Sequence, residues 1–437
     1  MRCGDGLPAL LRSLTVTSPS TRLPRPSPIA LRARIGVAVL FFTNGAIFAN
    51  LLPRYPEVMQ GLDLSNAAFG LAVAAFPLGA LLAGLSAGAF VRRFRSSRVA
   101  VVATFLTAVG IFVAGAGQSW LVLAGGLFVA GAMDSITDVA QNSHGLRVQR
   151  LFKRSILNSF HAIWSVGAVL GGLLGAGAAQ LGIPIPLHLL ISLVLFTLLA
   201  VVAYRLLLPG AEPAEVDVAP AAAPTSRRAG VATSLTKWGV LVALVIIASA
   251  GAIVEDSGAS WSAIYLSGSL GASAFLAGTG FVALQGMQFV GRIFGDGLVD
   301  RFGQRAVART GGVVVFIGMG LALAFPSIPG TIVGFGLAGL GVATLIPAAM
   351  QAADELPGLR AGTGLTIVSW LLRVGFLVSP PIVGAIADSS ALRFGLLIVP
   401  VAGLLVIVFA GVLSGRSTPT VASKAADDPE TATTDAR

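Results

Sequence analysis

The chain has 437 residues, of which 55% are hydrophobic and 11% are charged, and its formal net charge is +10. Soluble globular domains carry about 25% charged residues, so this composition excludes an ordinary soluble protein and indicates an integral membrane protein. Nucleic-acid binding would need basic residues clustered on one folded face. Here they lie between apolar segments, so we expect the lipid bilayer as a partner and no nucleic acid.

Residues 1–34 are rich in Arg, Ser and Pro and lack an apolar core long enough for a secretory signal. We predict a disordered cytoplasmic tail, or in part a translation start placed too far upstream. Cys3 is the only cysteine. It excludes an internal disulfide framework and argues against a cysteine-based metal site.

Twelve apolar segments follow, each near the roughly twenty residues that cross a bilayer. We predict spans at 35–57, 65–91, 98–117, 119–142, 155–179, 184–208, 237–258, 272–299, 305–325, 330–351, 361–386 and 391–414. Hydrocarbon offers backbone amides no partner and the segments lack barrel-type alternation, so all should be helices. The predicted domains are a first bundle at 35–208, a polar linker at 209–236, a second bundle at 237–414 and a disordered tail at 415–437.

Basic residues alternate strongly between the two sides of these spans. With the N-terminus inside, the outer loops hold only Arg54 and Arg393, and the other loop arginines and lysines fall on the inner side. The positive-inside rule then predicts that both termini are cytoplasmic.

The stretch 291–305, GRIFGDGLVDRFGQR, is charged and lies between two apolar runs, so we interpret it as a tight loop joining two spans. Placing Asp300-Arg301-Phe302 over Arg92-Arg93-Phe94 gives an offset of 208 residues. The same offset lays Gly167 over Gly375, so the chain is predicted to be duplicated, half upon half.

The segment from Gly297 to Arg305 resembles the inter-helix signature of major facilitator superfamily transporters. The resemblance implies an all-α integral membrane fold of twelve helices in two pseudo-symmetric six-helix bundles. It also implies that Asp300, Arg301 and Arg305 help to hold the two halves closed on the cytoplasmic side. In the first half Arg92 replaces the family's acid and Arg95 its glycine, so no gating role is implied there.

Ionisable residues inside spans are costly, by about 2.5–3.5 kcal/mol on insertion scales, and are functional candidates by default. Asp134, Asp138 and Asn142 recur every four residues, which places them on one helical face that should look into a central cavity. Residues 138–142 also resemble the acid-x-Ala-x-Asn pattern of fucose-permease-like members, whose acid takes part in proton-coupled sugar movement. The alternative is that Asp138 and Asn142 only anchor the helix end.

Further segments extend the similarity to a bacterial branch near the fucose permeases, from about residue 35 to 414. They are 41–45, 54–56, 159–165, 260–266 and 379–384. That branch usually has an acid before the tryptophan at 261, where this chain has Ser260. Glu255 is therefore our proton-coupling candidate in the second half, with Asp256 beside it. Alternatively the two acids mark the solvated end of the seventh helix.

The candidate substrate-binding residues are polar or aromatic and lie within spans. They are Asn44, Asn142, His161, Trp164, Gln285, Gln288 and Trp370. Histidine exchanges protons near neutral pH, and aromatic rings stack on a sugar or pack on a drug. For each residue, ordinary packing or bridging between helices is the alternative.

Two arginines remain in apolar spans. Arg292 lies one turn from Asp296, and we predict an ion pair between them on the face of Gln285 and Gln288; both also count as gating candidates. Arg373, near the middle of the eleventh span, needs an anion: Asp134, Asp138, Glu255 or an anionic substrate.

These features favour a proton-coupled secondary transporter that moves a small solute across the bacterial cytoplasmic membrane by alternating access, with a sugar-like solute as the first expectation. Proton-driven efflux of drugs or metabolites is the alternative, and a receptor a remoter one. The sequence has no nucleotide-binding loop and no HExxH, and its three histidines are scattered, so we expect no enzyme activity, catalytic residue, metal or cofactor beyond the proton. A monomer is expected.

Overall fold

The computed structural model describes residues 27–152, 156–210, 231–357, 359 and 362–415. Within these residues twelve helices are long and apolar enough to cross a membrane. Numbered as spans 1 to 12, they are Pro28–Gly61, Asn66–Phe94, Ser96–Ala116, Trp120–Phe152, Leu157–Gln180, Ile185–Tyr204, Lys237–Ser269, Ala274–Phe302, Gln304–Ala324, Ile328–Asp354, Thr363–Ser389 and Leu392–Val412. The predicted all-α fold of twelve spans is confirmed.

Four spans are not single regular α-helices. Span 1 contains Pro28–Ala49, a 3₁₀ turn at Leu52–Arg54 and Tyr55–Gly61. Span 7 comprises the part of the helix Val231–Ile264 from Lys237 onward and the π turn at Tyr265–Ser269. Span 10 divides into Ile328–Val342 and Leu345–Asp354, and span 12 into Leu392–Gly395, Ile398–Phe409 and Ala410–Val412. The breaks in spans 1 and 7 both lie nearer the end of the span than the polar residues that these spans bring to the centre of the molecule.

Span 1 begins at Pro28, so residues 28–34 are helical and the predicted tail is too long. The side chain of Ser27 accepts a hydrogen bond from the Ala30 amide at 3.2 Å. Serine at the N-cap followed by proline strongly favours the start of a helix. This preference exceeds the unfavourable effect of the arginines in the first turns on helix formation. Residues 1–26, 211–230 and 416–437 lie outside the described residues.

The turn after span 8 is much shorter than the predicted loop at 291–305. Residues up to Phe302 are helical, and Gln304 already belongs to the next helix. The break is Gly303, whose φ of 84° is in a region that favours glycine. The charged residues of the signature therefore lie on the last turns of span 8 and the first turn of span 9.

The two halves repeat each other with the predicted offset. Residue i of spans 2 and 3 corresponds to residue i + 208 of spans 8 and 9, from Asn66 and Ala274 at the starts of spans 2 and 8 onward. Ser65 and Ser273 cap spans 2 and 8 in the same way. Arg95, at the position of Gly303, has the same kind of backbone conformation, with φ at 75°.

The bundles meet along two seams. Span 2 packs on span 11, and span 5 packs on span 8. Gly70 and Gly384 lie directly against the opposing backbone, at Pro380 and Asn66, so these helices approach more closely than larger residues would allow. We call the end where spans 2 and 8 begin and spans 5 and 11 end the sealed end.

Arg95→Gly is expected to raise the free energy of unfolding by about 1 kcal/mol, because a non-glycine residue in this backbone region stores about 1–3 kcal/mol of strain, partly offset by the added freedom of the unfolded glycine. Gly303→Ala, which introduces the strain at the equivalent turn, should lower stability by a similar amount. Thermal unfolding of the purified variants measures both. Equal stabilities for all three proteins would contradict the strain.

Candidate functional site

A cavity of about 270 Å³ lies between the two bundles. Residues of spans 1, 2, 4 and 5 line one side, and residues of spans 7, 8 and 11 line the other. Its polar lining is Asn44, Asp134, Glu255, Asp256, Gln285 and Arg373, and its aromatic lining is Phe48, Phe76, Trp164, Phe281 and Phe376. An apolar pocket with a few convergent polar groups, shared by two repeats, has the general form of a transporter binding site.

The first bundle contributes a chain of three side chains. The Trp164 indole Nε1–H donates to Asn44 Oδ1 at 2.8 Å, and Asn44 Nδ2 donates to Asp134 Oδ1 at 2.6 Å. An indole N–H can only donate, so it determines which end of the Asn44 amide faces it. The remaining NH₂ must then face Asp134, which places a donor on that carboxyl group.

Small residues bring these side chains within reach of one another. Gly45 follows Asn44 on span 1, and a Cβ at that position would meet the carbonyl oxygen of Trp164. Gly167 makes the reciprocal approach from span 5 to Phe42. The close contact of spans 1 and 5 is therefore what lets Trp164 reach the amide of Asn44.

Asp138 lies one turn along span 4 from Asp134 and does not line the cavity. It is exposed, and Asn142 Nδ2 donates to both its carbonyl oxygen and its Oδ1 at 2.9 Å. Gln141 Nε2 lies 3.5 Å from both Asn44 Oδ1 and Asp138 Oδ1. The structure thus places the predicted face of Asp134, Asp138 and Asn142 along a polar path that leads from the cavity away from the sealed end.

The second bundle places its acids on span 7. Gln288 Nε2 donates to Glu255 Oε2 at 3.0 Å, while the buried Gln285 has no hydrogen-bond partner among the described residues for its side-chain nitrogen. Ser260 donates to Asp256 Oδ1 at 3.3 Å, and Asp256 Oδ2 has no partner in the same part of the chain. Gln285 and Asp256 are therefore buried groups with unused hydrogen-bonding capacity at the wall of the cavity.

Arg292 and Arg373 have no ion-pair partner among the described residues, so the predicted Arg292–Asp296 pair is not formed. Arg292 and Asp296 form no ion pair within 4 Å, because Asp296 is exposed and hydration competes with so weak a pair. Arg373 lines the cavity with Asp134, Glu255 and Asp256 but forms no ion pair within 4 Å with any described residue. Arg373 is therefore a cavity-lining cation without a paired carboxylate among the described residues.

The aromatic predictions separate in space. Trp164 is in the cavity wall, whereas Trp370 is 45% exposed and does not line the cavity. Trp370 is therefore not placed to bind a solute in this cavity. His161 is exposed and packs its ring edge on Phe41, with the ring centroids 5.1 Å apart.

The predicted gating residues lie at the end opposite the sealed end. Asp300 and Arg301 are exposed, and Arg301 lies over the ring of Phe302 at 5.2 Å. Arg305 Nε donates to the carbonyl of Leu413 at 3.1 Å, within its own bundle. In the described part of the chain none of these three residues is bonded to the first bundle, so they do not join the two halves in the conformation seen.

The sequence prediction did not single out Phe48, Phe76, Phe281 or Phe376, although each lines the cavity. Phenylalanine in a span packs equally well against lipid, a neighbouring helix or a cavity, so its position in the sequence carries no signal. Asp256 was noted only as a neighbour of Glu255. Glu255 and Asp256 line the cavity from the regular α-helical part of span 7, which precedes its π turn at 265–269.

Twelve spans around a shared, largely apolar cavity with a few ionisable groups have the architecture of a multi-pass membrane transporter. The family model of the Major Facilitator Superfamily matches residues 37–255 and 246–435. The chain therefore belongs to the Major Facilitator Superfamily, which confirms the resemblance. Its members are transporters, so the prediction that the chain is not an enzyme is also confirmed.

Relatives and solved structures agree with this assignment. The uncharacterized transporter y4wD of Sinorhizobium fredii is 30% identical over 86% of this chain and 97% of its own length. Membrane protein MosC of Rhizobium meliloti is 29% identical over 85% of this chain and 87% of its own. The nucleoside transporter NupG superposes with a TM-score of 0.66 at 12% identity, over 88% of this chain and 99% of its own. The D-xylose-proton symporter superposes with a TM-score of 0.62 at 16% identity, over 87% of this chain and 96% of its own. At these identities the structures show the fold alone.

Asn44→Ala is expected to lower the free energy of unfolding by about 2 kcal/mol, because it leaves the Trp164 N–H and the Asp134 carboxyl without their partner. Thr43→Ala is the matched control: Thr43 is also buried, but its hydroxyl bonds only to Leu40 of the same helix. Thermal unfolding in detergent measures the difference. Equal losses in the two variants would contradict the bridging role of Asn44.

Proposed function

We propose that the protein is a proton-coupled secondary transporter that moves a small polar solute through the cavity by alternating access. The observation that carries this proposal is the lining of the cavity, where Asp134, Glu255 and Asp256 face a single arginine, Arg373. The two bundles would rock about this site and present it to one side of the membrane at a time.

Proton coupling is supported by the position of Asp134. A carboxylate charge is costly while its cavity is closed to water and cheap while the cavity is wet, so proton uptake and solute binding are linked through the same conformational change. Asp138 lies one turn further along span 4, next to the solvated end of the polar path. A proton would pass between solvent and Asp134 by way of Asp138. Glu255, held by Gln288, is the third proposed coupling residue.

A sugar-like solute is the first candidate for the substrate. Hydroxyl groups need many hydrogen bonds, and Asn44, Gln285 and Arg373 offer donors at the cavity wall while Trp164 offers a ring face. The resemblance of residues 138–142 to fucose-permease-like proteins points the same way. Asn142, His161 and Gln288 would act from beyond the cavity wall, by positioning Asp138, by exchanging protons and by holding Glu255.

The five aromatic rings of the cavity favour a second candidate, the proton-driven efflux of amphipathic drugs or metabolites. Drugs bind mainly through buried apolar area, whereas sugars bind through hydrogen bonds. A thermal-shift screen of the purified protein against sugars, organic acids and cationic drugs separates these classes. Stabilisation by cationic drugs alone would favour efflux.

The distribution of basic residues supports a bacterial cytoplasmic membrane location with both termini in the cytoplasm. In that orientation the sealed end faces outward. The transport unit is proposed to be a single chain, because one chain supplies both sides of the cavity.

Asp134→Asn and Asp138→Asn should each reduce pH-driven transport at least about a hundredfold, because the variants cannot carry the proton, and should leave the protein in the membrane. Transport is measured in proteoliposomes under an imposed pH gradient, with the solute that the screen identifies. Asp63→Asn, an exposed carboxylate between spans 1 and 2, is the control and should retain full activity. Undiminished pH-driven transport in both span 4 variants would remove the coupling hypothesis.

Asp300→Asn is expected to slow the conformational cycle and leave solute affinity unchanged, because Asp300 lies far from the cavity wall, on the last turn of span 8. The maximal transport rate should fall about tenfold or more, with the half-saturating concentration unaltered. Transport rates measured over a range of solute concentrations separate the two effects. A loss confined to affinity would contradict the gating assignment.

A further inference from the structure

Two hydrogen-bonded contacts join the bundles at the sealed end. Asp388, at the end of span 11, accepts from the Asn66 backbone N–H (2.8 Å), the Asn66 side-chain amide (2.8 Å) and the Ala67 N–H (2.9 Å). On the other seam Gln180, at the end of span 5, accepts from the Phe275 N–H at 3.1 Å. The start of each helix, in spans 2 and 8, is therefore capped by a residue of the other bundle.

The two capping contacts occupy equivalent positions in the two repeats of the chain. Adding 208 to Gln180 gives Asp388, and adding 208 to Ala67 gives Phe275, the same offset that relates the spans. The capping contact thus belongs to the duplicated architecture, and the two copies differ in the chemistry of the capping side chain.

Each helix start depends on the partner bundle for part of its hydrogen bonding. The first four N–H groups of a helix have no partner within the helix. Ser65 takes the third of these groups, from Ala68 at 3.2 Å, and Ser273 takes the equivalent group, from Leu276 at 3.5 Å. The earlier groups, at Asn66 and Ala67 in span 2 and at Phe275 in span 8, are satisfied across the seam. Separating the bundles at this end would leave them to water.

The two caps are unequal in strength. A carboxylate has two acceptor oxygens and a negative charge, which is favourable at the positive end of a helix dipole. A carboxamide has one acceptor and no net charge. The Asp388 cap therefore stabilises the span 2–span 11 seam more than Gln180 stabilises the span 5–span 8 seam.

The backbones touch immediately beside the stronger cap. A Cβ at Gly384 would collide with the backbone of Asn66, the residue that Asp388 caps. Because the backbones of spans 2 and 11 are in direct contact, we expect these helices to be either packed together or separated, without intermediate positions.

We propose that Asp388 is the latch of the transport cycle. Its carboxylate holds spans 2 and 11 together while the cavity is shut at the sealed end. Gln180 is a weaker copy of the latch, and the conformation that opens this end must release both caps. The inference rests on the proposed alternating-access function.

The test uses the full chain with Cys3→Ser, reconstituted in lipid nanodiscs, with spin labels on cysteines at the exposed positions Gln60 and Ala391, one on each side of the span 2–span 11 seam. Pulsed electron paramagnetic resonance reports the distance between the labels. Asp388→Asn keeps the size of the side chain but loses its charge and one acceptor. We expect the population at the longer distance to rise about fivefold. Gln180→Glu, which supplies the stronger cap at the second seam, should lower it.

Asp63→Asn is the matched control, because it removes an exposed carboxylate from the same end without breaking a contact between bundles, and its distances should match those of the unsubstituted protein. A second label pair, at the exposed positions Arg93 and Arg309, reports on the opposite end. If Asp388→Asn gives the same distance distribution as the unsubstituted protein, the latch is overturned. This holds even where the unsubstituted protein shows two distances at both ends, which would support the proposed rocking motion. Opening at the sealed end with no closing at the other would support the latch and contradict alternating access.

Discussion

The bilayer offers no hydrogen-bond partner to a protein, and the rest of this structure depends on that constraint. Backbone groups are satisfied within helices, so each described span is helical, and several polar side chains of the spans turn toward one another or toward the cavity between the bundles. Asp134, Glu255, Asp256 and Arg373 all line this one cavity. The cost of placing charge at membrane depth thus locates the site, because only a water-accessible passage can hold so many ionisable groups.

Small residues allow the helices to pack closely enough for these polar side chains to meet. Gly45 and Gly167 bring spans 1 and 5 into backbone contact, so that Trp164 reaches Asn44 and Asn44 reaches Asp134. Gly70 and Gly384 do the same for spans 2 and 11, where Asp388 caps the neighbouring helix. The glycines therefore shape both the site and the seam that shuts it, and the sealed end and the cavity are two consequences of one packing scheme.

Duplication explains much of the architecture and also where the halves have diverged. Spans 2 and 3 match spans 8 and 9 residue for residue at an offset of 208, and even Arg95 keeps the backbone conformation of Gly303. The cavity does not follow the repeat: the residues at the same offset from Asn44 and Asp134 are Ala252 and Val342. The scaffold has stayed symmetric, and the chemistry is divided unequally between the two bundles. The first contributes the Trp164–Asn44–Asp134 chain, and the second contributes Glu255, Asp256 and Arg373.

The sequence by itself determined the class of fold, the number of spans, the duplication and most of the polar residues at the centre, because apolar length, charge placement and a fixed offset are properties of the chain. It could not determine which way each helix turns. The Arg292–Asp296 pair was predicted from spacing, and Trp370 was a candidate because it is an aromatic residue in the eleventh span. The structure has no such ion pair and places Trp370 outside the cavity, since the rotation of each helix decides which side chains meet. Spacing along one helix placed Asp134 and Asp138 on a common face. Only the tertiary structure brought Asn44 and Trp164 to Asp134, and Asp388 to the start of span 2, because those contacts join segments 90 or more residues apart.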